Sequence, residues 1–300
     1  MSSINQPDLS GTGVALVTPF RQHAIDYEAL ANIIDYVIAG GVDYIVCLGT
    51  TGEAITLSKQ ECREVLSFTL DKVAGRVPVV AGFFGSNYTD QLTALLRTYD
   101  FTGVAAIMSS SPSYNRPTQE GIFRHYMAVA EASPLPIIIY NVPGRTASNV
   151  EATTVIRLAQ ASPKFIAVKE AAGNMAQAMH LLKYRPEHLL VLSGDDPLTL
   201  PIMACGGHGA ISVIANALPA PFSAMVKAMK NGDLYTARQL NNLLLDIHPP
   251  LYAEGNPAGI KGALEALGLC SREVRLPLAP LSDETLAKLR QLLREAGAAV

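Results

Sequence analysis

Eight short apolar runs, each followed by a stretch with apolar residues at helical spacing, constrain this chain most. The runs are GVALVTPF (13–20), YIVCLG (44–49), VPVVAGF (77–83), VAAIMSS (104–110), PIIIYN (136–141), FIAVKE (165–170), LLVLSG (189–194) and GAISV (209–213). Between the first two, YEALANIIDYVIAGG places Leu30, Ile33, Ile34 and Val37 on one helical face, and Gly40 and Gly41 supply a stop. In SKQECREVLSFTLDKVAG, Ser58 reads as an N-cap with Glu61 at capping-box distance. Strands that alternate with crossover helices run parallel. About eight such units over roughly 230 residues fit an α/β fold of the closed (β/α)8 kind. The rival is an open doubly wound sheet, which announces itself by a Gly-rich loop after its first strand. Here ALVTPF stands in that place with no G-x-G-x-x-G, so a TIM barrel is expected.

Beyond the eighth run the pattern is helical. GDLYTARQLNNLLLDIHPPLY and SDETLAKLRQLLREAG are amphipathic, and EGNPAGIKGALEALGL makes a third helix with Pro257 near its start. The expected division is a barrel over 1–230, with its site at the C-terminal ends of the strands, and a helical extension over 231–300. That extension has no strands to cover, so it caps the barrel or builds an interface.

Composition narrows the function. Of 300 residues, 49% are hydrophobic and only 16% charged, against a usual charged share of roughly a quarter; the chain is globular and well packed. A net charge of -3 gives no basic footprint, and nucleic acid is not an expected partner. No apolar run reaches about 18 residues, so no membrane span is expected, and MSSINQPDLS holds no signal core. Cys47, Cys62, Cys205 and Cys270 form no C-x-x-C pair and have no histidine at zinc spacing. Cys47 and Cys205 lie in apolar runs and read as small core residues. A reducing, cytoplasmic setting is expected.

In barrels the chemistry sits where strands end. The second run ends in GTTGE (49–53), the fourth leads into SSSPSYNRP with Tyr114, and the fifth ends in YNVPGRT with Tyr140 and Arg145. The sixth ends on Lys169, the seventh in SGDD (193–196), and the eighth carries Ile211. Each has a plain structural reading. Lys169 alone would pass for a lysine salt-bridged to Glu170, Tyr140 for a wall residue, and GTTGE for a tight turn. Asp195 and Asp196 read as helix N-caps, and the histidine of GGHG as incidental. Together at one barrel mouth they suggest chemistry. An apolar interior disfavours an ammonium, and a neutral amine attacks a ketone to form a Schiff base. A tyrosine hydroxyl beside it can shuttle the proton. Backbone N–H groups of a Gly-Thr-Thr-Gly turn can hold a carboxylate, and Arg145 offers a forked site for a second one. The residues point to a lysine enzyme acting on a 2-oxo acid with another acid as co-substrate.

GTTGE, YNRPTQEG, YNVPGRT, VKEAAGN and SGDDPLTLPIMACGGHGAISV together resemble the dihydrodipicolinate synthase (4-hydroxy-tetrahydrodipicolinate synthase) family, over nearly the whole chain. GTTGE alone is shared by the wider superfamily of pyruvate-dependent class I aldolases and lyases that includes N-acetylneuraminate lyase. The arginine of YNVPGRT narrows the match. The resemblance implies Lys169 as the Schiff-base lysine for pyruvate, Tyr140 as proton donor and acceptor, and Thr50 and Tyr114 as its relay, with Tyr114 reaching from a neighbouring subunit. It implies Thr51, Ile211 and Gly194 as binding positions around pyruvate, and Arg145 as the binder of the carboxylate of L-aspartate 4-semialdehyde. It implies no metal or organic cofactor, a homotetramer built as a dimer of dimers, and a place in the diaminopimelate route to lysine.

Two further activities compete: another enzyme of the superfamily acting on sugar acids or hydroxy-oxo acids, and a barrel that binds small molecules without catalysis. Arg145 argues against the first, and the presence of both Lys169 and Tyr140 against the second. Whether Asn256 touches the site or only caps a helix stays open. The resemblance also bears on feedback. Lysine-inhibited members bind lysine at positions matching Ala54, Lys59, Cys62, Asn87, Gln91 and Ser113. Regulated members put serine, glutamate and tyrosine where Ala54, Gln91 and Ser113 stand, so insensitivity to lysine is expected.

Overall fold

A computed structural model describes residues 7–83 and 88–300. Its centre is a closed ring of parallel strands: β1 (Gly11–Ala15), β2 (Tyr44–Cys47), β3 (Val79–Gly82), β4 (Ala106–Ser110), β5 (Ile137–Asn141), β6 (Phe165–Glu170), β7 (Leu190–Ser193) and β8 (Gly209–Ser212). β1 closes the ring by pairing with β8, Gly11 opposite Gly209, and with β2, Gly13 opposite Tyr44. This is the (β/α)8 barrel that the alternating pattern predicts, and each apolar run supplies one strand. β1 stops at Ala15, short of the predicted 20, because a side chain takes over the ladder. Asn216 donates to the Ala15 carbonyl at 2.8 Å and accepts from the Val17 N–H at 3.2 Å.

Helices α1 (Tyr27–Ala39), α2 (Lys59–Val73), α3 (Thr89–Thr98), α4 (Gln119–Ala132), α5 (Ala152–Ala161), α6 (Met175–Tyr184), α7 (Thr199–Ala204) and α8 (Pro219–Lys230) follow the strands in turn. α1 buries Leu30, Ile33, Ile34 and Val37, and α2 begins with the expected capping box of Ser58 and Glu61. Outward strand residues such as Ile45, Ile107 and Val191 pack under the helices, while Val46, Val80, Met108 and Leu192 fill the barrel interior. Each such side chain taken fully from water contributes about 1.5–3 kcal/mol, so the barrel interior is a packed core. Cys47 is buried as expected, and burial pushes its thiol up to about 12. Cys205 is exposed, contrary to expectation, because α7 ends there and Gly206 and Gly207 turn the chain outward.

The C-terminal extension contains α9 (Leu234–Leu245), α10 (His248–Tyr252), α11 (Ala258–Ala266) and α12 (Asp283–Glu295). It returns over the rim at the end of β2. There Arg275 grips Glu61 through two hydrogen bonds of 2.6 and 3.0 Å, and this guanidinium holds the Glu61 carboxyl down to about 2. Among the described residues no helix is long and apolar enough to cross a membrane.

Candidate active site

Register brings the two central residues together. Tyr140 near the end of β5 lies directly opposite Lys169 near the end of β6, and Lys169 Nζ sits 4.5 Å from the centre of the Tyr140 ring. In β6, Ala167 faces the interior and Val168 the helices, so the two-residue period turns Lys169 inward and Glu170 outward. Lys169 is only 4% exposed. Glu170 is not its partner, contrary to the salt-bridge reading. The Glu170 carboxylate accepts from Asn141 Nδ2 at 3.1 Å, Gln177 Nε2 at 3.1 Å and the Ala172 N–H at 2.9 Å. Burial pushes that carboxyl above its ordinary value. This outer network fixes the ends of β5 and β6 from behind, and so fixes the spacing of Tyr140 and Lys169.

Gly194, after β7, donates to the Glu170 carbonyl at 2.7 Å. A Cβ there would stand 2.8 Å from Lys169 Cγ and 2.9 Å from Cε. Only glycine lets the chain pass this close to the lysine stem without displacing it. Ile211 in β8 is buried in the same interior cluster as Tyr140.

The GTTGE turn lies on the opposite side of the mouth. Gly52 donates to Gly49 and Glu53 to Thr50, both at 3.1 Å, and Thr18 Oγ1 donates to the Gly52 carbonyl at 2.7 Å. Glu53 adopts a left-handed conformation, φ 53°, which is uncommon for a residue with a side chain. Its carboxylate explains how that conformation is held. One oxygen bonds the buried ammonium of Lys261, and the other accepts from the Arg275 N–H at 3.0 Å. The Phe20 ring lies between, 4.0 Å from Lys261 Nζ and 4.5 Å from the Arg275 guanidinium. Desolvation pulls the Lys261 ammonium below its ordinary value, against the opposing pull of Glu53. Thr51 is buried and Thr50 partly so.

The rim residues differ in exposure. Arg145 sits on a helical turn, Pro143–Thr146, and its Nη2 approaches the Asn256 carbonyl at 3.5 Å. Tyr114 is anchored through its N–H to the Thr146 carbonyl at 3.2 Å, yet its side chain is 91% exposed with φ 67°. The chain therefore buries Lys169, Tyr140 and Ile211, with half-buried Gly194 against the lysine stem and Thr51 buried in the turn at the same end. Tyr114 it leaves pointing away from cover.

Two aspartates correct the capping expectation. Asp195 stands at the N-cap position of the short turn Asp196–Leu198 but its side chain makes no capping hydrogen bond, and Asp196 lies inside that turn. Asp196 Oδ2 accepts from the Val213 and Ile214 N–H groups at 3.0 and 2.9 Å and from the Tyr252 hydroxyl at 3.1 Å. These tertiary donors claim the carboxylate, which clamps the exit of β8. His208 is not incidental either, since its Nδ1 accepts from the Val191 N–H at 3.1 Å. Asn256 reaches the GTTGE turn: its Nδ2 donates to Thr51 Oγ1 at 3.0 Å. Lys261 escaped the sequence reading, although its place beside Ile260, Ala263 and Leu264 on an apolar helix was a signal of burial.

Of the positions matched to lysine inhibition, Lys59 and Gln91 are exposed, Ala54 and Ser113 are partly buried, and Cys62 Sγ lies 3.7 Å from the Ala54 carbonyl. Asn87 is outside the described residues.

Comparison with known proteins agrees with this fold. The family model of the dihydrodipicolinate synthetase family matches residues 8–296. The 4-hydroxy-tetrahydrodipicolinate synthase of Parabacteroides distasonis is 44% identical over 296 residues, covering 98% of each chain. That of Neisseria meningitidis serogroup C is 46% identical over 290 residues, covering 96% of this chain and 99% of its own. The crystal structure of dihydrodipicolinate synthase from Aquifex aeolicus superposes with a TM-score of 0.92 at 39% identity, covering 96% of this chain and 98% of that one.

Proposed function

The chain belongs to the dihydrodipicolinate synthetase family, and from that membership we propose that it condenses pyruvate with L-aspartate 4-semialdehyde through a Schiff base on Lys169. The observation that carries this is the buried amine of Lys169 set against the Tyr140 ring. The neutral amine adds to the pyruvate ketone, and loss of water gives the imine. Loss of a methyl proton gives the enamine, whose carbon attacks the aldehyde. The substrate amine then closes on the imine carbon, and the lysine leaves as the free amine. Tyr140 carries the protons in these steps, relayed by Thr50 and by Tyr114 of a neighbouring subunit. Thr51 binds the pyruvate carboxylate, Gly194 and Ile211 line the space beside it, and Arg145 binds the carboxylate of the semialdehyde. A coupled assay supplied with pyruvate and the semialdehyde tests the reading. Turnover with a sugar acid or a hydroxy-oxo acid in place of the semialdehyde would replace it with a sister activity.

The assembly is part of the proposal. A tyrosine 91% exposed on the rim suits a role in a neighbouring subunit's site, which supports pairing of subunits; the homotetramer built as a dimer of dimers follows from the family resemblance. Sedimentation of the purified protein reports that state, and a monomer would contradict it. Residues 231–300 act as the extension that completes the rim. The four free cysteines accord with a cytoplasmic location; fractionation of the native cells tests it, and recovery outside the cytoplasm would contradict it.

Arg145→Ala should separate the two substrates. Removing a charge-assisted donor costs about 1.5–3 kcal/mol, or roughly 10- to 150-fold, and the loss should fall on the semialdehyde. Imine formation with pyruvate should persist. A variant that no longer forms the imine would show that Arg145 serves pyruvate instead.

Lysine should inhibit weakly or not at all. Gln91 carries no negative charge, and exposed Lys59 adds a positive one near a cationic ligand. Trading a charged acceptor for a neutral one gives up something like 1–2 kcal/mol. Initial rates against L-lysine up to tens of millimolar measure this. Half-inhibition below about 1 mM, equivalent to binding near 4 kcal/mol, would contradict it.

A further inference from the structure

We propose that Asn256 is a positioning residue that sets the polarity of the Thr51 hydroxyl, a role that rests on the assignment of Thr51 to the pyruvate carboxylate. Asn256 is 8% exposed and stands 205 positions from Thr51 in sequence. Its Nδ2 donates to Thr51 Oγ1 at 3.0 Å, while its Oδ1 has no partner among the described residues. A hydroxyl has one hydrogen to give. By occupying the acceptor side of Thr51, the amide leaves that hydrogen free to be donated to an anion. The backbone carbonyl of the same residue accepts from Arg145 Nη2 at 3.5 Å, so Asn256 bridges the binders of the two substrate carboxylates.

A second link makes the first one stiff. Five residues on, Lys261 is fully buried and paired with Glu53, two residues past Thr51. Lys261 Nζ also donates to the Glu273 carbonyl at 2.8 Å. Two cross-links thus join the same pair of segments, the amide in front and the ion pair behind. The C-terminal extension holds the GTTGE turn in register and Asn256 fixes which way its threonine donates.

The test compares Asn256→Ala with Asn256→Asp. Alanine removes the donor and should raise the KM for pyruvate about two- to tenfold with kcat little changed, the scale of one net hydrogen bond. Aspartate is nearly isosteric but reverses the bond. It accepts the Thr51 hydrogen and places a negative charge between two substrate carboxylates, so the KM should rise about tenfold more. A merely structural role predicts the opposite order, because aspartate preserves the shape that alanine loses. In a Thr51→Val background, Asn256→Ala should add little further loss. Circular dichroism melting confirms that each variant is folded. The readout is borohydride trapping of pyruvate at graded concentrations, alongside steady-state KM. An aspartate variant equal to or better than alanine, or an unchanged KM in both, would overturn the proposal. So would full loss from Asn256→Ala on top of Thr51→Val. If the parent protein itself forms no trapped adduct, the assignment of the pyruvate site fails first and takes this one with it.

Discussion

Lys169→Ala is expected to abolish turnover while leaving the barrel folded. The lysine is the nucleophile, and nothing at the mouth can replace its bond to the substrate carbon. Removing a covalent nucleophile costs on the order of 10⁴–10⁶-fold in rate. The fold should tolerate the change, because an amine kept from water is itself costly to bury. Gly194 already lies against the stem and offers only backbone to the vacated space. The coupled assay measures the rate, and circular dichroism melting measures the fold. A variant that keeps more than a few per cent of the parental rate would remove Lys169 from the mechanism.

Tyr140→Phe should be nearly as severe, since losing a positioned acid–base group costs roughly 10²–10⁴-fold. Tyr114→Phe should be impaired at the same proton path, but the two defects need not share a subunit. Tyr140 is buried beside Lys169, whereas Tyr114 is exposed on its own chain. Mixing the two inactive proteins under conditions of subunit exchange should restore activity. In a hybrid dimer one site collects both phenylalanines and the other collects both tyrosines. With random exchange about half of the dimers are hybrids, each with one intact site of two, so about a quarter of the parental activity should return. No recovery after mass spectrometry confirms exchange would place Tyr114 in its own chain's site.

What the sequence reveals here is what local periodicity encodes. The eight apolar runs, the capping box at Ser58 and Glu61, and the face of α1 repeat at strand or helix spacing and need no distant partner to be read. Lys169 and Tyr140 were legible because each breaks an apolar strand at its C-terminal end. The residues that went unread act over long separations. Lys261 sits on an apolar helix, but its partner Glu53 is 208 residues away and meets it only in the folded core. Asp196 obeys a local capping rule in sequence, yet tertiary partners just past β8 and at Tyr252 claim its carboxylate. Cys205 follows an apolar run but falls where the helix ends. Gly194 was assigned by resemblance alone, and its physical reason is a contact with the Lys169 stem.

The imine on Lys169 is the central claim, and reductive trapping addresses it without inference. The protein is treated with pyruvate and borohydride, digested and mapped by mass spectrometry. The account predicts one irreversibly modified peptide, the one containing Lys169, formed only when pyruvate is present. Lys261 serves as an internal control, because its ammonium is fully buried and committed to Glu53. Modification of Lys261 or of any other lysine, or no modification at all, would contradict the account.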